Sequence, residues 1–86
     1  MKDKILKLVG DKLNGLNLWI DDVYTDKEDG NTFLHIVLDS ERVLNIGDVT
    51  MATRIINPLL DEIDVIDESY ILDVYAKEKG DDIDEQ

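Results

Sequence analysis

Val49, Ala52, Ile55, Ile56, Leu59 and Leu60 recur at spacings of three and four residues, with polar side chains between them. Only an α-helix places such a set on one stripe, so the spacing predicts an amphipathic helix over 46–61. Asn45 stands just before it and Asp48 three residues on, close to a capping-box pattern. Pro58 lacks an N–H and crowds the carbonyl of Arg54, so a kink or an early end is expected there. A helix of this kind must bury its stripe against another element, and the rest of the chain has to supply that surface.

The remaining segments read as one more helix and three strands. Ile5, Leu8, Val9 and Leu13 share a helical face over 3–14, with Asp3 as the expected N-cap and Asn14–Gly15 as the stop. Lys2, Lys4, Lys7 and Lys12 then form its wet side. Residues 16–25 alternate as a strand until Asp22 breaks the phase, which a bulge near Asp21–Asp22 would reconcile. Residues 26–30 read as a turn, with Gly30 for the positive-φ position. Residues 32–39 alternate cleanly, Leu34, Ile36 and Leu38 on one face and Phe33, His35 and Val37 on the other. A third strand is expected over 69–76, with Tyr70, Leu72 and Val74 facing one way. The order is αββαβ, and two helices on one face of a three-stranded sheet make a two-layer α+β domain. A right-handed crossover would set the third strand beside the second in a mixed sheet; the alternative is the antiparallel order 2-1-3.

The chain's 86 residues suit one small domain with a thin core. Nine Lys and Arg against 21 Asp and Glu leave a net charge of −12. Such a surface repels phosphate backbones, which argues against direct nucleic-acid binding, and it attracts a cationic protein. The plainer reading of the charge is solubility. There is no cysteine, so disulfide and thiol chemistry are excluded. No apolar run matches a signal peptide or a membrane span.

Motif by motif, catalytic and metal chemistry fall away. Glycines 10, 15, 30, 47 and 80 form no GXXG loop of the RNA-binding KH type. Setting Gly30 at the sixth position of a calcium loop puts Lys27 at a ligand position and Ile36 where a glutamate should close the site. The acidic stretch 80–85 could hold divalent cations only loosely. His35 is the sole histidine and reads as a surface strand residue, with no nucleophile arranged beside it. Asp21 and Asp22 are adjacent, so in a regular strand they point to opposite faces and cannot work as a pair. Trp19 is expected on the open sheet face with Phe33 or Val37, either as a partner's anchor or as a shield for the sheet. No cofactor and no metal are implied.

Four segments, in order and spacing, resemble one family. "GLNLWIDDVY" is similar to its Gly-hydrophobic-Glu-Leu-Val opening strand, and "FLHIVLDSE" to its Leu-Arg-Val-hydrophobic-Ile-Asp strand, with His35 where arginine is common. "LNIGDVTMATRIINPLLDEID" resembles the family's long helix, and "YILDV" its Tyr-Thr-Leu-Glu-Val strand. The family is that of the ribosome maturation factor RimP, N-terminal domain, and the likeness covers about residues 5–75. It implies an αββαβ fold followed by an SH3/Sm-like barrel. It also implies a non-enzymatic, cytoplasmic role in late assembly of the small ribosomal subunit, helping to install a basic ribosomal protein. After the last strand the family's Ser-Ser-Pro-Gly and Arg-Pro are replaced by Tyr75 to Asp82, and no barrel follows. The expected division is a domain over 1–76 and an acidic tail or interdomain linker over 77–86. The chain is then either a piece cut at a domain junction or a form without the barrel.

The expected function is therefore a monomeric domain that meets the small ribosomal subunit, or its precursor, through a basic ribosomal protein. A stand-alone acidic module for another cationic partner is the alternative. The candidate contact residues are Trp19, Asp21, Asp22, Asp39, Glu41 and Asp73.

Overall fold

The computed structural model describes residues 2–63, 66 and 68–78. The acidic stretch 80–85, and all but the first two residues of the expected tail, lie outside the described residues.

The first helix, α1, spans Lys2–Leu13 and buries Ile5, Val9 and Leu13, one residue per turn. Its four lysines are exposed, as the pattern requires. Asp3 lies in the first turn rather than at the cap, where its charge complements the helix dipole. A single 3-10 turn, Asn14–Leu16, follows, and Asn17 adopts a left-handed conformation with φ 60°. That residue explains why the first strand starts two residues later than its apolar alternation suggests. Asparagine tolerates the left-handed region, but no strand can pass through it.

Strand β1 covers Leu18–Glu28 and β2 covers Asn31–Ser40, paired antiparallel. The register shifts between Ile20 and Asp22, leaving Asp21 as the extra residue of a bulge. The bulge returns Val23 to the core side, where it joins Leu18 and Ile20. The hairpin turn is tighter than the five-residue loop that the charges suggest. Asp29 (φ 54°) and Gly30 (φ 81°) alone form it, between Glu28 and its partner Asn31. Positive φ at both central residues is the type I′ geometry, which matches the strand twist. Asp26, Lys27 and Glu28 thus belong to the ladder; all three side chains are exposed, so their charge stays in water.

Helix α2 spans Ile46–Leu60 and buries Ala52, Ile56 and Leu60. The capping box is complete: the Asp48 N–H donates to Asn45 Oδ1 at 2.9 Å, and the Asn45 N–H donates to Asp48 Oδ2 at 2.9 Å. Pro58 sits in the last turn, and the helix ends two residues beyond it. Strand β3, Ile71–Ala76, pairs parallel to β2, giving the order β1-β2-β3. This is the mixed sheet expected from a crossover, not the antiparallel 2-1-3 order. α1 packs on β1, α2 packs on β3, and the helices touch each other. Their stripes close over Leu18, Val23, Leu34, Ile36 and Leu38 in one core.

Two results follow for the α2 cap. Asn45→Ala should cost about 1 kcal/mol, read as a lower urea midpoint at unchanged slope. The Arg42 guanidinium, followed by the Asn45 N–H, holds the Asp48 carboxyl down at about 2. A carboxyl lowered by folding stabilises above its unfolded value near ~4 and loses that effect as pH falls toward the folded one. The Asp48 contribution should therefore disappear between about pH 4 and about pH 2. Thermal melts of Asp48→Asn and the parent should converge across that window.

Candidate functional site

Residues paired across a sheet share a face, so the register assigns the side of the sheet that the helices leave uncovered. Four rows cross it. Trp19 faces Asp39; Asp22, Val37 and Tyr75 form the next row; Tyr24, His35 and Asp73 the third; Asp26, Phe33 and Ile71 the fourth. Four of the chain's five aromatic residues stand in these rows, Tyr70 being the fifth. Four aspartates stand there too, and no lysine or arginine.

His35, in the central strand, is the hub. Its side chain is only 13% exposed, so the surface assignment made from alternation needs correction. The facing is as expected, but side chains of both flanking strands close over this residue of the central strand. Tyr24 stacks on the imidazole at 4.5 Å between ring centroids, Phe33 lies at 6.1 Å and Tyr75 meets it edge-on at 5.9 Å. Asp26 Oδ2 is 3.3 Å from Nε2 and Asp73 Oδ2 is 3.3 Å from Nδ1. Neither nitrogen makes a well-directed hydrogen bond among the described residues, so the carboxylates act on the ring as nearby charges. The Tyr24 and Tyr75 hydroxyls hydrogen-bond to each other across the face. These side chains form one connected patch that spans all three strands.

The Tyr24–Tyr75 contact has a measurable consequence. The hydrogen bond to Tyr24, then burial and the neighbouring Asp73 and Asp26 charges, push the Tyr75 phenol up to about 12. A group raised by folding stabilises below its unfolded value and loses that effect as pH climbs to the folded one. The patch should therefore loosen between about pH 10 and about pH 12, and absorbance near the tyrosinate band should show one late phenol. Tyr75→Phe should abolish that late step.

Of the expected contact residues, Trp19, Asp22, Asp39 and Asp73 fall on this face. Asp21 is the bulge residue, and Glu41 lies just past β2. Several of these acids already have cations. Lys2 reaches Asp22 at 3.2 Å and Lys77 reaches Asp21 at 3.5 Å. The Lys2 ammonium, with the Val23 N–H, holds the Asp22 carboxyl below its ordinary range. Exposed pairs of this kind are worth at most about 1 kcal/mol, so a partner's cations can displace them. Trp19 stands beside the Val37 row, and Phe33 lies at the far end, so of its two expected neighbours only Val37 is near. The sequence reading left out Tyr24, His35 and Tyr75. Their odd-numbered and bulge-shifted positions become one patch only when the register of both strand pairs is known.

Chemically, the face offers aromatic surface and negative charge. Among the described residues no three His, Asp or Glu side chains converge on a metal-sized site. Among the same residues no helix is long and apolar enough to cross a membrane. The fold and the face together define a two-layer α+β domain with an acidic, aromatic open sheet. The family model described as "RimP N-terminal domain" matches residues 8–76. That is most of the chain, and the protein belongs to the RimP family of ribosome maturation factors through this domain.

Proposed function

We propose that the domain assists assembly of the small ribosomal subunit by holding a basic ribosomal protein on its open sheet face. The observation that carries this reading is the concentration of four aromatic and four aspartate side chains on the one sheet face left uncovered by the helices. Aromatic side chains are the usual anchors of protein interfaces, and carboxylates steer and select a cationic partner. The net charge of −12 adds long-range attraction for such a protein and repels bare RNA. In this reading the domain works in the cytoplasm, as a monomer, without catalysis or cofactor. Its partner contacts include Trp19, Asp22, Asp39 and Asp73 on the face, with Asp21 and Glu41 at its rim.

Gradient sedimentation with purified ribosomal particles tests the proposal. The chain should travel with small subunits or their precursors at low salt, and leave them as salt rises. Equal association with large subunits, or none with either, would contradict it.

A further inference from the structure

At the Trp19 end of the sheet lies an open groove of about 700 Å³, lined by Asn14, Asn17, Leu18, Trp19, Glu41 and Arg42. Three segments meet there: the 3-10 turn, the start of β1 and the chain leaving β2. We infer that this groove grips the guanidinium of an arginine side chain on the cationic partner. The inference rests on the reading above and adds the side chain that is recognised and the place that recognises it.

The argument starts from charge. Arg42 lines the groove, but Asp48 Oδ2 and Oδ1 accept from its two terminal nitrogens at 2.8 and 3.1 Å. Its backbone N–H also donates to Ser40 Oγ at 3.1 Å, so the residue is held in place from both ends. Asp48 thus offsets the Arg42 charge, and the pair adds little net positive charge to the groove. Glu41 has no ion pair among the described residues, which leaves the groove with an uncompensated negative charge. Asp39, directly across the ladder from Trp19, adds to the same field.

The second part is shape. Trp19, the chain's one tryptophan, is 45% exposed, so a large part of its indole is open to solvent at the groove. An indole face is the best side-chain surface for a cation, and a flat guanidinium stacks on it as an ammonium cannot. Glu41 offers the two oxygens that a guanidinium fork matches, and the side-chain amides of Asn14 and Asn17 bring further acceptors. A nucleobase could stack on the same indole. Its phosphates would then enter the field of Glu41 and Asp39, where they are repelled.

Trp19 is the only tryptophan, so its fluorescence reports this groove alone. The 86-residue chain is titrated with acetyl-Gly-Gly-Arg-Gly-Gly-amide and with the same peptide carrying citrulline or lysine. Citrulline keeps the shape of arginine without its charge. The arginine peptide should give a saturable change, the lysine peptide a weaker one and the citrulline peptide none. Glu41→Gln should weaken the arginine response about tenfold, the loss of one charge-assisted contact. Glu28→Gln, at the hairpin tip, should leave it unchanged. Equal responses to arginine and citrulline, or an unaltered response in Glu41→Gln, would overturn the inference. Failure of the broader reading looks different: ribosomal particles would be ignored while the arginine peptide still bound. If instead Glu41→Gln holds particles as tightly as the parent, the groove is idle and the broader reading survives.

Discussion

Ile56→Ala is expected to lower the stability of the domain by about 3 kcal/mol. Ile56 is fully buried in the third turn of α2, in the core shared by both helices and the sheet. Truncation removes three carbons from water-free packing, and the surrounding side chains relax only partly into the hole. A domain of this size has roughly 5–10 kcal/mol in total, so one substitution consumes a large part of it. Urea unfolding should show a much lower midpoint at unchanged slope. Arg54→Ala, on the exposed side of the same helix, should change stability by less than about 0.5 kcal/mol. Similar losses from both would contradict the two-layer packing on which the open face depends.

Asp73→Lys should weaken binding of the cationic partner by about 30-fold or more. Asp73 is half-exposed in β3 and sits beside His35 in the middle of the face. Reversing its charge removes an attraction and sets an ammonium where the partner brings its own cations. Like charges meeting across an interface cost several kcal/mol, and about 2 kcal/mol is already ~30-fold. Asp11→Lys makes the same change in net charge on the exposed side of α1 and separates contact from long-range steering. It should reduce the association rate modestly and leave dissociation unchanged. Titration calorimetry and association kinetics on the two variants decide between local recognition and overall charge. Equal losses at both positions would point to the latter.

How far the sequence reveals this molecule depends on which interactions set each feature. Stripes such as Ile5–Val9–Leu13 and Ala52–Ile56–Leu60 are written in local spacing, and the structure buries them as expected. The cap at Asn45 and Asp48 and the bulge at Asp21 are local too, and both stand where the residues place them. Parallel pairing of β3 with β2 was legible as a preferred topology, because a helical crossover favours it. The hairpin tip is less legible, since charged Asp26–Glu28 reads as loop while backbone pairing makes it strand. The late start of β1 depended on a single left-handed backbone at Asn17, which composition does not announce. His35 shows the limit most clearly. Its neighbours Tyr24, Asp26, Asp73 and Tyr75 come from both flanking strands, so its burial belongs to the register and not to its own segment. Membership of the RimP family was legible because four segments keep their order and spacing, and the match over 8–76 agrees.

Site-specific photo-crosslinking tests the central claim most directly. A benzophenone amino acid is placed at Tyr24 or Ile71 on the open face, and at Thr50 or Arg54 on the exposed side of α2. Each variant is irradiated with purified small-subunit precursors, and the crosslinked species are identified by mass spectrometry. The open-face positions should capture a basic small-subunit protein that the helix positions do not. Capture of such a protein from the helix positions alone, or of RNA alone from the open face, would contradict the account.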